Sequence, residues 1–165
     1  MGLGPQLLRP TGRRDGHRPL MPVQVKSLTG VVAVEAGYAH TVALKGDATV
    51  WTWGVVGGRQ LSDGTTTDRS TPARVEGFSG GVAAVAAGYR SSAALTSDGT
   101  VWTWGAAGST PARVKGLSGV VAMAAGSSHS VALKDDGTVW ASSETAAPWT
   151  IPRSCRSVGL RESPI

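Results

Sequence analysis

Short apolar runs, each closed by a glycine, recur along the middle of the chain at Val31 to Gly37, Val82 to Gly88 and Val120 to Gly126. They are apolar at nearly every position instead of alternating, which predicts β-strands covered on both faces. The Ala-rich middle copy also suits a helix, but the run is short and its sister copies hold valines, so strand is the assignment. A second strand follows at Thr41 to Leu44, Ser92 to Leu95 and Ser130 to Leu133. A polar turn then leads to a third strand, which carries Trp51 and Trp53, Trp102 and Trp104, or Trp140. Residues two apart on a strand share a face, so each Trp pair predicts one aromatic slab; in the last copy Ala141 and Ser142 leave it half missing. Two of the turns hold Asp98-Gly99 and Asp136-Gly137, where glycine takes positive φ freely. The first holds Asp47-Ala48. A left-handed alanine costs about 1 kcal/mol, which predicts a looser turn or one of another type. Ahead of each apolar run stands a Pro-x-x-Val element (Pro22 to Val25, Pro72 to Val75, Pro111 to Val114). Proline donates nothing to a ladder, so each copy is expected to open with an edge strand or a strand start.

These elements form one repeating unit. Val31 to Gly54 and Val82 to Gly105 are identical at 15 of 24 positions without a gap, and Val120 to Trp140 repeats the pattern until it breaks off. A unit of this kind cannot bury its apolar face alone and requires neighbours to stack on. Four short strands per unit, with a period near 50 residues between the first two copies, predict β-propeller blades. The fold class is therefore all-β, an incomplete β-propeller of about three blades with irregular termini. The expected units are residues 22–71, 72–110 and 111–140, behind a basic leader at 1–21 expected to be disordered and ahead of a non-repeat tail at 141–165.

The succession Pro-x-x-Val, then Val-x-x-x-x-Ala-Gly-x-x-His-(Ser/Thr)-Val-Ala-Leu, then Asp-Gly-Thr-Val-Trp-Thr-Trp-Gly resembles the regulator of chromosome condensation repeat, over Pro22 to Trp140. The resemblance implies a ring that usually closes with seven blades, so this chain holds under half of one. The family pattern continues after Trp-Gly as Asn-x-x-Gly-Gln-Leu-Gly. Here Val56 to Ser62 keeps Gln60-Leu61 and replaces the asparagine and two glycines. In the second copy the segment shrinks to five residues between Gly105 and Pro111, against seventeen between Gly54 and Pro72. That deletion predicts abnormal packing of the second and third units or loss of a fourth strand. Three readings of the chain follow: a fragment of a longer propeller, a protomer that completes a ring with copies of itself, or a degraded reading frame. The first and last are preferred. An open set of blades invites self-association through its exposed sheet edges.

The net charge of +5 changes little once it is mapped. Residues 22–140 carry nine Lys and Arg against eight Asp and Glu, whereas the leader contributes +3 and the tail +1. Basicity borne by the flanks argues against nucleic acid as a partner. Cys155 is the single cysteine, which excludes an internal disulfide or a cysteine metal cage. No apolar run reaches the roughly 18 residues needed to cross a bilayer, so no membrane is expected, and the cytoplasm is the default compartment.

No catalytic constellation emerges. His40 and His129 occupy equivalent positions, with Ser91 between them in the series, and a residue repeated in register is structural, its ring expected to bridge strands. His17 lies in the leader. Asp98, Asp135 and Asp136 stand at hairpin tips, where aspartate makes turns. No cofactor and no metal are expected, and the chain is read as no enzyme. Propellers bind partners through loops on their end faces. The loop residues Tyr38, Arg59, Tyr89 and Arg90 are therefore the expected contacts of a protein partner of unknown identity. Light-sensing members of the family use Gly-Trp-Arg-His-Thr; the matching Gly88 to Ser92 has Tyr for Trp and Ser for His, which argues against photoreception. The resemblance implies two other functions: nucleotide exchange on a small GTPase, and inhibition of a β-lactamase.

Overall fold

The computed structural model describes residues 23–55, 61–62, 67–105 and 108–143. They form three antiparallel sheets, and no helix occurs among them. The first sheet is β1 (Val31–Ala36), β2 (His40–Lys45), β3 (Val50–Gly54) and β4 (Arg69–Val75), hydrogen-bonded in that order. The second is β5 (Val82–Ala87), β6 (Ser91–Thr96), β7 (Val101–Gly105) and β8 (Gly108–Arg113), again in chain order. The third holds β9 (Val120–Ala125), β10 (His129–Lys134) and β11 (Val139–Ser143). The chain is thus all-β, an open and incomplete propeller.

The proline elements close sheets instead of opening them. Pro72 lies in β4 and Pro111 in β8, each the last strand of the sheet before it. The edge position suits proline, which has no N–H for an outer neighbour; Pro22 lies outside the described residues. The short β7–β8 connection does not remove the fourth strand either, since Trp102 pairs with Arg113 and Gly105 with Gly108.

Sheets stack face to face, with the first strand of each later sheet packing on the first two strands of the sheet before it. The forward face of the first sheet supplies Val42, Leu44, Val50 and Val75. The rear face of the second meets them with Val85, Ala94 and Trp104. Phe78, in the connection between the sheets, sets its ring edge-on to Trp104 at 5.6 Å and to Trp102 at 6.1 Å. Its ring fills the corner that the two indoles leave open. The second junction repeats the plan: Leu95, Val101 and Val114 face Ala132, with Met123 and Trp140 packed alongside. Each fully buried Val or Leu contributes about 1.5–3 kcal/mol, so the two junctions hold the fold together.

Coverage on both faces, expected of all three apolar runs, holds only for β5, which packs against β1, β2 and β9. β1 and β9 each pack on one neighbouring sheet, and four of six residues in β1 and three of six in β9 are exposed. The cause is position in the stack, not side-chain character: Val34 is 62% exposed while its counterpart Val85 is 7% exposed.

The first hairpin turn is not looser than the others. Ala48 sits at φ +62° beside Gly99 at +77° and Gly137 at +78° in the equivalent turns. The backbone bonds match too, with Lys45 N–H donating to Thr49 O at 2.9 Å and Thr96 N–H to Thr100 O at 2.9 Å. Asp47 Oδ1 accepts from the Thr49 hydroxyl at 2.6 Å and from its amide at 3.1 Å, while Lys45 Nζ reaches Oδ2 at 3.2 Å. These bonds fix the turn and outweigh the strain at Ala48.

Candidate functional site

The loops that join the first two strands of each sheet lie at one end of the stack. In the first two sheets each is a Gly-Tyr-x turn. Gly37 N–H donates to His40 O at 2.9 Å and Gly88 N–H to Ser91 O at 2.8 Å, closing both loops tightly. At the ends of β3 and β7, Gly54 (φ +126°) and Gly105 (φ +106°) pass directly under them. A Cβ on either glycine would collide with the carbonyl of Ala39 or of Arg90. Val55 N–H donates to that Ala39 carbonyl at 2.8 Å, and Tyr38 N–H reaches Gly88 O at 3.2 Å, which ties one loop to the other.

The tie brings two expected partner-binding residues into contact. The rings of Tyr38 and Tyr89 lie 4.5 Å apart with their planes at 44°. Arg90 sets its guanidinium carbon 5.3 Å from the centre of the Tyr89 ring, within cation–π range. Tyr38 is 73% exposed, and Tyr89 and Arg90 are exposed as well. Ser127 and Ser128 occupy the corresponding loop of the third sheet, so the aromatic row ends after two members. Arg59 lies outside the described residues. The sequence showed the Gly-Tyr spacing but not the ring pair, because only stacking of consecutive sheets places residues of two repeats side by side.

His40 stands just beneath these loops. It is 1% exposed, and its Nε2 lies 2.9 Å from Ser92 Oγ of the second sheet. The ring therefore bridges two strands, β2 and β6, and these belong to different sheets. Nδ1 is buried without a partner. The Nε2–H tautomer, donating to Ser92, leaves only a lone pair bare there, which costs less than a buried unpaired N–H. Burial disfavours the imidazolium and lowers the pKa from 6.5 to about 4, so the ring is neutral at physiological pH. The Gly37 Cα lies so close that a Cβ would strike the imidazole and the Gly88 carbonyl. His129, the equivalent residue on β10, is exposed.

The carboxylates are committed to turns. Hydrogen bonds from Thr49 hold the Asp47 carboxyl at about 2, and bonds from Thr138 do the same for Asp136. Asp98 is lowered chiefly by the hydroxyls of Thr96 and Thr100. Among the described residues no three His, Cys, Asp or Glu side chains gather as metal ligands.

Stacked sheets of three or four strands, built from similar repeats, define a propeller repeat protein, and comparison with known proteins names the repeat. The pattern of the Regulator of chromosome condensation (RCC1) repeat matches residues 31–55, 82–109 and 120–143, and a second form of it matches residues 47–95. The chain belongs to this family. It is 35% identical over 99 residues to the human E3 ubiquitin-protein ligase HERC2, which covers 57% of this chain and 2% of that protein. It is 33% identical over 109 residues to the RCC1 domain-containing protein RUG3, mitochondrial, of Arabidopsis thaliana, covering 64% of this chain and 24% of the relative. Among solved structures it resembles yeast RCC1 (Prp20) bound to Kap60. That match has a TM-score of 0.70 and 21% identity, over 84% of this chain and 38% of the other. The chain thus spans a quarter or less of these curated relatives.

Proposed function

We propose that the chain is a non-enzymatic protein-interaction scaffold whose contact surface is the loop end bearing Tyr38, Tyr89 and Arg90. The observation that carries this reading is the exposed Tyr38–Tyr89 ring pair with a guanidinium at its edge. Tyrosine and arginine supply much of the energy at protein interfaces: tyrosine buries a large area with little loss of side-chain freedom, and arginine adds a planar fork of hydrogen-bond donors. The pair is held by backbone bonds before any partner arrives, which limits the ordering lost on binding. A similar fold binding the protein Kap60 in yeast supports a protein as the partner class.

The reading is tested by affinity capture from cells of the source organism with the wild-type chain, a Tyr38→Ser/Tyr89→Ser double variant and a rim variant, Arg113→Ala. A protein retained by the wild type and the rim variant but lost from the double variant supports the site. Equal capture by all three overturns it. Addition of the captured protein, if it is a small GTPase, to a nucleotide-release assay then separates scaffold from exchange factor, because a scaffold leaves the release rate unchanged.

A further inference from the structure

Tyr38 and Tyr89 are the two tyrosines of the chain, and the fold brings both to one spot. Their ring centroids lie 4.5 Å apart, at the near limit for a packed aromatic pair, so the ring edges touch. The backbones are held together as well, since the Tyr38 N–H donates to Gly88 O at 3.2 Å. Both rings also meet solvent, Tyr38 over most of its surface. Neither belongs to the two hydrophobic clusters that hold the sheets together. The chain thus presents two phenols in mutual contact, open to small reagents in solution.

We propose that the Tyr38–Tyr89 pair is an oxidative cross-linking site, at which a one-electron oxidant converts the two phenols into an intramolecular dityrosine. Each phenol gives one electron to the oxidant and its hydroxyl proton to solvent, which leaves two neutral tyrosyl radicals. The radicals join by a carbon–carbon bond between ring positions ortho to the oxygens. The ortho hydrogen on each ring then moves to its oxygen, so both phenols are restored and the net loss is two electrons and two protons. Exposed side chains reorient within picoseconds to nanoseconds, so the ortho carbons meet repeatedly during the life of a radical. The bond clamps the first sheet to the second at their loop end. It closes a loop of about 50 residues and stabilises the fold mainly by restricting the unfolded chain. This chemistry rests on the ring contact and not on any partner, so it stands or falls separately from the scaffold reading.

The test is brief illumination of the dilute full chain with a ruthenium tris-bipyridyl complex and persulfate, which together supply the one-electron oxidant. A thiol is then added, which removes any disulfide formed through Cys155. The expected wild-type product is a monomer lighter by two hydrogens, with the blue fluorescence of dityrosine. In its tryptic digest the peptides Ser27–Lys45 and Val75–Arg90 are joined. The yield exceeds that of the urea-unfolded chain by about tenfold or more, because the folded pair is held in contact. Tyr38→Phe and Tyr89→Phe keep the ring, lose the phenol and give no product; circular dichroism confirms that both fold. The cross-linked wild type melts above either variant treated in the same way. Equal yields from folded and unfolded chains overturn the proposal. So does dityrosine found solely between chains, with a yield that climbs with protein concentration.

Discussion

The forward faces of the first and third sheets carry almost the same letters, yet they live in opposite surroundings. His40, Val42, Leu44 and Val50 lie buried against the second sheet, while His129, Leu133 and Val139 stand in the open. No substitution explains the contrast. The only change is whether another sheet follows. Burial in a repeat protein is thus a property of the junction and not of the residue, and stability resides in nearest-neighbour contacts. On the rear faces the contrast holds at Val34 and Val85, 62% and 7% exposed, whereas Ala43 and Trp53 of the first sheet are buried like their counterparts Ala94 and Trp104.

Truncation sharpens this contrast most. Leu44→Ala removes a side chain from the core of the first junction and costs about 2–5 kcal/mol. Leu133→Ala, at an exposed position of the third sheet, changes stability by about 0.5 kcal/mol or less. Urea unfolding of the two variants checks this; equal losses would mean that the third face is covered in the isolated chain.

Acid breaks the first junction next. His40 has a folded-state pKa of about 4 against 6.5, so above pH 6.5 both states are neutral and its junction is intact. As pH falls from 6.5 toward 4 the unfolded chain takes up a proton that the buried ring refuses, and up to about 3 kcal/mol of stability is lost. The turn aspartates do not contribute in this window, because Asp47 and Asp136 titrate from 3.8 to about 2 and lose their stabilisation only below pH 4. Thermal unfolding at pH 7 and pH 4.5 should show the loss in the wild type and a flatter profile in His40→Gln.

The smallest effect lies at the first hairpin. Ala48→Gly relieves a left-handed alanine without disturbing the Asp47–Thr49 bonds, and it raises stability by up to about 1 kcal/mol. Calorimetry reads this as a modest increase in Tm. Gly99→Ala in the second sheet should give the opposite sign.

The sequence made the strands, the turns and the Trp-bearing columns legible, because periodicity and Asp-Gly chemistry are local. Backbone preference alone predicts a loose turn at Ala48, because it does not reveal the side-chain bonds from Thr49 to Asp47 that hold this turn. The proline strands were placed in the wrong sheet because an edge strand has the same chemistry whether it opens a unit or closes one. Ser92 as the partner of His40, 52 residues away, was invisible within a single repeat, as was the Tyr38–Tyr89 contact. The Tyr contact becomes legible once equivalent positions are known to sit side by side, and the His40–Ser92 bond once the forward face of one sheet is known to meet the rear face of the next. Phe78 is the counterpart of Leu28 and Leu117 in a repeated Val-x-x-Leu/Phe-Ser/Thr-Gly connection, and its core role shows only once the sheets stack.

The placement of Pro72 and Pro111 within β4 and β8, the last strands of their sheets, means that the unit read most easily from the letters is out of step with the unit that folds. A gene cut ahead of each proline would hand one sheet's outer strand to the next module, leaving every excised piece with a borrowed edge and a missing one. Shuffling or designing blades from this chain calls for joints near Gly77 to Gly81 and Lys115 to Gly119. A crossover made there exchanges whole sheets.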